Sequence, residues 1–278
     1  MPHMAMHGLV LSLLLILLAG GAEAFRICAF NAQRLAQPKV AKKSVMDTLV
    51  QKIRLCPHET GRTRNQECSS LTSFAVLRKM WGHYFLPLGF PRSDKTQVLS
   101  SYQYNDTDDV FAREPFVAQF TLPSKILPNV VLVPLHTTPK DVEKELNALY
   151  DVFLDVSQRW QNEDVILLGD FNADCASLTK KRLNSLLLRT KAGFHWVISD
   201  GEDTTVRAST NCTYDRIVMH GQGCQTLLKA AAPFNFPRSF QLTEEEALRI
   251  SDHYPVEASN PSCWAILLLL SLLPSQLG

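Results

Sequence analysis

Apolar and polar positions change period several times along the chain, and each change marks an element. Phe25–Phe30 is a short apolar run that stops at Asn31. Pro38–Ile53 carries Val45, Leu49 and Ile53 four residues apart, the spacing of one helix face. From about Leu55 to Phe90 neither a two-residue nor a 3.6-residue period holds. Alternation returns at Gln97–Tyr104 and Phe116–Leu122, which predicts strands, and Val130–Leu135 is a continuous β-branched and leucine run ending at His136. Thr138-Pro139 predicts a helix start with proline at the first position, and Val142, Leu146, Leu149, Phe153 and Trp160 give that helix a buried face. Val165–Gly169 is another strand-length apolar run, followed by a helical stretch at Thr179–Leu188 and strands at Phe194–Ile198 and Ile217–Met219. Thr243-Glu244-Glu245-Glu246 reads as a capping box for a short helix that leads into Ser251–Val256. Strands and helices interleave without internal repeats, which predicts one α/β domain whose sheet is packed in layers.

Polar residues cluster where these strands stop or start: Asn31, His136, Asp170 with Asn172, Asp215, and Asp252 with His253. A lone histidine at a strand end is most often a hydrogen-bonded structural residue, and an aspartate there a turn former. The set carries the weight, because polar loops gathered at one sheet edge are where α/β enzymes build sites. Phosphodiester hydrolysis needs a base for water, an acid for the leaving oxygen, and neutralisation of charge building on phosphate. Two histidines oriented by carboxylates meet the first two needs near neutral pH. Asp, Glu and Asn oxygens suit Mg²⁺ or Ca²⁺, which meet the third. A serine-hydrolase reading fails for lack of a G-x-S-x-G elbow, and no Cys/His pair has the context of a cysteine protease.

Composition changes this picture in three places. The chain is 46% hydrophobic and 20% charged, enough for a sizeable core, and its net charge of +1 leaves any polyanion attraction to a local patch or a bound cation. One such stretch is Lys39–Lys95, with an excess of seven positive charges over negative ones. Leu9–Leu18 followed by Ala22-Glu23-Ala24 reads as a cleaved secretory signal over residues 1–24, although its leading segment has no Lys or Arg. Seven cysteines without paired C-x-x-C spacing then point to disulfides, and the sequons at Asn105 and Asn211 suit the same compartment, Asn105 being the better acceptor. The expected location is the secretory pathway, in the endoplasmic reticulum or outside the cell. Residues 258–278 end in the apolar run Trp264–Leu273, which is too short to span a bilayer. It is read either as a poor membrane-anchor signal or as a tail that stays with the chain.

The pieces F-N-A-Q (30–33), P-L-H-T (134–137), G-D-F-N-A-D-C (169–175), Y-D-R-I-V (214–218) and S-D-H-Y-P-V-E (251–257) stand in the order found in the deoxyribonuclease I family, and A-R-E-P-F-V (112–117) and D-T-T (203–205) add to the match. Over about Phe25–Asp47 and Lys95–Glu257 the chain resembles that family, closest to a member with a hydrophobic C-terminal tail. The resemblance implies an α/β four-layer sandwich spanning 25–257, two packed mixed β-sheets flanked by helices. It also implies Mg²⁺- and Ca²⁺-dependent endonucleolytic cleavage of DNA to 5′-phosphate ends by a monomer. Carried over by motif, His136 and His253 are the acid/base pair and Asp215 orients His253. Asp170, Asn172, Asp252 and Asn31 hold metal or the scissile phosphate, and Arg113 contacts the DNA backbone. Cys175 and Cys212 match the family's disulfide, whose 37-position loop corresponds to about 3 kcal/mol or somewhat more. R-E-P-F and Y-D-R draw the chain towards DNA rather than towards the lipid or inositol phosphates used elsewhere in the wider exonuclease III-like superfamily.

The chain departs from the family over 50–92. A strand ending in a Gln-Glu pair, whose glutamate is a metal ligand, and a Tyr-x-Glu-x-Tyr strand, whose glutamate pairs with the first histidine, have no counterpart: between Val50 and Arg92 the acids are Glu59 and Glu67, and neither ends an apolar run. Two central strands are therefore expected to be missing, and the chain is expected to be weakly active or inactive, with a DNA-binding role without cleavage as the alternative.

Overall fold

The computed structural model describes residues 25–33, 72–77, 86–87, 97–122 and 124–259. The expected leader, the helix at 38–53 and the apolar run at Trp264–Leu273 lie outside the described residues. Among the described residues no helix is long and apolar enough to cross a membrane.

Strands β1 (Phe25–Ala29), β2 (Thr72–Leu77) and β3 (Leu86–Pro87) form one sheet with β10 (Ala230–Pro233) and β11 (Val256–Ser259), in the order β10-β11-β1-β2-β3. The second sheet runs β4-β5-β6-β7-β9-β8, from β4 (Val98–Gln103), β5 (Phe116–Thr121), β6 (Asn129–Pro134), β7 (Val165–Asp170), β8 (His195–Trp196) and β9 (Asp215–His220). Each sheet is mixed. The pairs β1·β2 and β6·β7 are parallel and the rest antiparallel. Segment 50–92 thus supplies β2 and β3, which corrects the expectation that two strands are missing there.

Strand alternation explains why the two sheets pack. Val130 and Leu132 of β6, Ile166 and Leu168 of β7, and Ile217 and Met219 of β9 point into one buried cluster with Ile27, Ala29, Val256 and Ala258 of the facing sheet. The intervening residues Val131, Val133, Val165, Leu167 and Val218 point the other way, onto helix α1 (Val142–Trp160) and its Leu146, Leu149, Val152, Phe153 and Val156. Each such fully buried side chain contributes about 1.5–3 kcal/mol relative to exposure. The central strands β6, β7 and β9 are therefore apolar on both faces, as a central layer must be, while the edge strand β4 is largely exposed. Helix α1 is the crossover between the parallel strands β6 and β7, so both strands end at the same sheet edge.

Two helix expectations are corrected in detail. Helix α1 begins at Val142 with Asp141 as N-cap, so Pro139 lies in a preceding turn and not at the first helical position. The stretch Thr179–Leu188 is two short helices, α2 (Lys180–Ser185) and α3 (Leu187–Thr190), because Leu186 turns extended at φ −58° and ψ 146°. Three more helices follow: α4 (Gln222–Leu227), α5 (Phe236–Ser239) and α6 (Glu244–Leu248). The capping box at α6 is present as expected, with Thr243 and Glu246 each satisfying the other's backbone N–H.

Candidate active site

The site lies where β1, β6 and β7 end and β9 begins. Gly169 has φ +133°, and a Cβ there would stand 2.2 Å from the Leu135 carbonyl oxygen. Glycine alone permits this approach. It lets the parallel ladder continue past the strands, with Leu135 N–H donating to Leu168 O at 3.0 Å and Thr137 N–H to Asp170 O at 3.1 Å. His136 is thereby fixed beside Asp170. Asn172 occupies the left-handed region at φ 46°, its backbone N–H donating to Asp170 Oδ1 at 3.1 Å and its side-chain amide to Thr137 O at 3.1 Å. The G-D-F-N sequence thus folds back on itself to aim one carboxylate. Register places Asp215, the first residue of β9, directly opposite Asp170.

The other sheet supplies the second wall. Asn31, just past β1, donates from Nδ2 to Asp170 Oδ2 at 2.9 Å, and Gln33 donates from Nε2 to Asp252 Oδ2 at 2.9 Å. Ser251 Oγ donates to Asn31 O at 2.6 Å, tying the loop before β11 to the end of β1. His253 follows, with Nδ1 2.6 Å from Asp215 Oδ2 and Nε2 3.7 Å from Asp170 Oδ2. His136 Nε2 lies 3.4 Å from the same Asp170 oxygen. Two imidazoles therefore flank one buried carboxylate, and one of them is backed by a second.

This crowding displaces the ionisable groups in opposite senses. Burial pushes the His136 imidazolium pKa down; Asp170 opposes this, and Arg113 and His253 add to it. Burial lowers His253 as well, but the charge and hydrogen bond of Asp215, with Asp170 and Asp252, raise it to about 10. Burial, then Asp215, raises Asp170 despite its two histidines. Neighbouring groups with separated proton affinities are the usual mark of an acid/base site.

A hard cation fits the donors present. Asp170 and Asp215 offer carboxylate oxygens within 4.8 Å of one another and of a His253 nitrogen, and the oxygens are the donors that suit such an ion. The buried Oδ1 atoms of Asp215 and Asp252 have no hydrogen-bond partner among the described residues, an arrangement that a bound cation would complete. Asp252 Oδ1 stands 4.0 Å from His253 Nε2, so it faces the same space.

All seven residues expected in the catalytic and metal sets are brought together. Arg113 sits at the rim, donating to the His136 carbonyl at 3.1 Å. Cys175 and Cys212 are disulfide-bonded, Cα–Cα 5.8 Å, and staple the G-D-F-N loop to the segment entering β9. Asn105 lies apart, in an exposed turn after β4.

Comparison with known proteins agrees. The endonuclease/exonuclease/phosphatase family matches residues 42–253. Deoxyribonuclease-1-like 1 of Cricetulus griseus is 70% identical over 310 aligned positions, covering 100% of both chains. The chain belongs to the deoxyribonuclease I family.

Other members stand at graded distance. Deoxyribonuclease-1-like 1 of Homo sapiens is 61% identical, covering 96% of this chain and 97% of its own, and human deoxyribonuclease gamma is 39% identical over 88% of each. The 310 positions aligned to the Cricetulus protein exceed the 278 residues of this chain, so this family member carries deletions relative to it. The fold is shared more widely. D. rerio TDP2 in complex with a single-strand DNA product superposes at TM-score 0.53 with 14% identity, covering 85% of this chain and 98% of its own. A humanized D. rerio TDP2 gives TM-score 0.53 at 12% identity, over 86% of this chain and 99% of its own.

Within the family motifs, one conspicuous charged residue is structural. Arg216 of Y-D-R is 1% exposed and donates to the carbonyls of Thr213, Ile198 and Ala173 and to Asp200 Oδ1. It is a structural brace, so the Y-D-R motif marks the family through its fold rather than through a contact made by Arg216. Thr137, Gln33 and Thr204 hold site residues in place, although only their motifs, and no role for them, were legible in the sequence. Each is an uncharged polar residue in a motif loop, and its role depends on partners that only the folded path of the loops brings to it.

Proposed function

We propose that the chain is a metal-assisted phosphodiesterase of the secretory compartment acting on DNA, with lower turnover than longer family members. The observation that carries the chemistry is the pair of imidazoles, His136 and His253, flanking Asp170 with Asp215 behind His253. His136 and His253 are the acid/base pair: each presents Nε2 to the same space, where one takes a proton from water and the other gives one to the leaving oxygen. Asp215 fixes the tautomer and orientation of His253. Asp170 and Asp252 would hold the cation, Mg²⁺ with Ca²⁺ in support, with Asn31 and Asn172 positioning Asp170. The bound ion would neutralise charge building on the phosphate. Arg113, half-exposed at the rim, is the DNA-backbone contact.

The reduced turnover follows from the divergent 50–92 segment, which offers neither family glutamate and so leaves the cation with fewer anionic ligands. Cleavage of the leader near Phe25, a glycan at Asn105 and a monomeric state belong to the same reading. The exposed turn at Asn105 and the Cys175–Cys212 disulfide support the compartment. The test of substrate class is hydrolysis of duplex DNA beside a phosphoinositide, each with Mg²⁺ and Ca²⁺ and with chelator. Metal-dependent DNA cleavage without phosphoinositide turnover is the expected result, and the reverse preference would contradict it.

A further inference from the structure

The D-T-T segment at 203–205 takes no part in the chemistry above, yet it lies between the two halves of the His253–Asp215 pair. Thr204 is fully buried. Its hydroxyl donates to Cys212 O at 3.1 Å and accepts from the backbone N–H groups of Tyr214 at 3.0 Å and Asp215 at 3.2 Å. A hydroxyl has one proton and two lone pairs, and all three are used. Three bonds therefore fix the backbone that carries Asp215 as it enters β9. On its other side the segment is laddered to the loop that carries His253: Tyr254 N–H donates to Thr204 O at 2.7 Å, Val206 N–H donates to Asp252 O at 2.9 Å, and Thr205 bridges His253. Asp203 anchors the start by accepting from Thr205 N at 2.9 Å and Cys212 N at 3.3 Å.

We propose that Thr204 is a positioning residue that sets the separation and alignment of His253 Nδ1 and Asp215 Oδ2. The two side chains come from different sheets, β9 on one and the loop before β11 on the other, and within the described residues the 204–206 segment is bonded to both carriers. Losing the hydroxyl leaves the N–H groups of Tyr214 and Asp215 without their acceptor, while the Cys212 carbonyl keeps the Thr204 N–H, so the start of β9 must shift to re-satisfy the two donors. A 2.6 Å contact tolerates little displacement before it lengthens out of the charge-assisted range. The functional meaning rests on the phosphodiesterase reading, but the geometric statement does not.

The test uses the full chain labelled with ¹⁵N and needs neither DNA nor turnover. The proton between His253 Nδ1 and Asp215 gives a far-downfield, exchange-protected resonance, assigned by its disappearance in His253→Gln. Thr204→Ser keeps the hydroxyl and is expected to keep the resonance. Thr204→Val keeps the shape and is expected to lose it, while the amide spectrum stays native-like. Thr204→Ala serves if the valine variant does not fold. Thr205→Val is the control: the Thr205 hydroxyl bonds Asp203 and the Thr210 carbonyl, so the resonance should persist. A folded Val or Ala variant with an unchanged resonance overturns the proposal, as does loss of it in Thr204→Ser or its absence in the parent. Failure of both Val and Ala variants to fold, with Thr204→Ser folded, also overturns it by assigning the hydroxyl to the fold as a whole. Absence of DNA cleavage would sink the nuclease reading without altering any of these outcomes.

Discussion

Replacing Arg216 by methionine would strip three backbone carbonyls and Asp200 of their donor at once. The side chain is buried and its guanidinium joins the loops at 173, 198–200 and 213. Loss of a buried, fully bonded cation should cost about 3 kcal/mol or more, read as a lower urea midpoint. Asp200, its partner, gives a pH signature. Burial raises the Asp200 pKa, but the hydrogen bond and charge of Arg216, with Arg189, bring it below the usual carboxylate value. A depressed folded-state pKa contributes stability above the unfolded value, near 4, and that stability is lost as pH falls through the lower folded value. Asp200→Asn should therefore narrow the gap in melting temperature between pH 7 and pH 3. Asp200 is 37% exposed, so solvent screening keeps the effect modest. The Gly169→Ala change should be harsher, since both the +133° φ and the Leu135 carbonyl oppose a side chain. A loss of about 2 kcal/mol or more is expected by urea denaturation.

At the scale of elements, legibility followed the strength of the periodic signal. β6 and β7 were readable because β-branched and leucine runs of strand length have few other uses in a chain of this kind, and β5 was readable from its alternation. Helix α1 was readable from its long apolar stripe, but its start was not. Pro139 suits a turn as well as a helix N-terminus, and the hydrogen bond of Thr138 N–H to Glu145 Oε1 decides for the turn. The break at Leu186 was hidden because the residues on both sides favour helix. β10, Ala230–Pro233, carries no alternation, and its pairing to β11 is purely a tertiary effect. Its closing proline is tolerated because β10 is an edge strand. The site was legible residue by residue because strand ends advertise polar residues against apolar runs. Its supporting groups, Thr137, Gln33 and Thr204, were not, because their partners lie 34 residues or more away or hinge on a loop's exact path. The capping box at α6 makes a small, clean test. Thr243→Ala should lower stability by about 1 kcal/mol, measured by thermal unfolding, without altering the site.

At the scale of the molecule, the two sheets meet over one core and their shared edge makes the site, so neither sheet alone could hold it. β11 lies between β10 and β1, which brings the end of the described domain beside its beginning and carries Asp252 and His253 to the Asp170 wall. The Cys175–Cys212 bond closes a 37-residue loop on that Asp170 wall. Opening it by Cys175→Ser with Cys212→Ser should lower stability by about 4 kcal/mol on the chain-entropy estimate, read from denaturant unfolding. The central claim is that this edge cleaves DNA with two histidines around a cation, at a rate limited by what the 50–92 segment lacks. Plasmid nicking by the purified chain with Mg²⁺ and Ca²⁺, beside a longer family member, tests it most directly. Slow nicking that is abolished by chelator, by His136→Ala and by His253→Ala is the predicted result. Turnover equal to the longer protein's, or nicking that survives either histidine substitution, would contradict it.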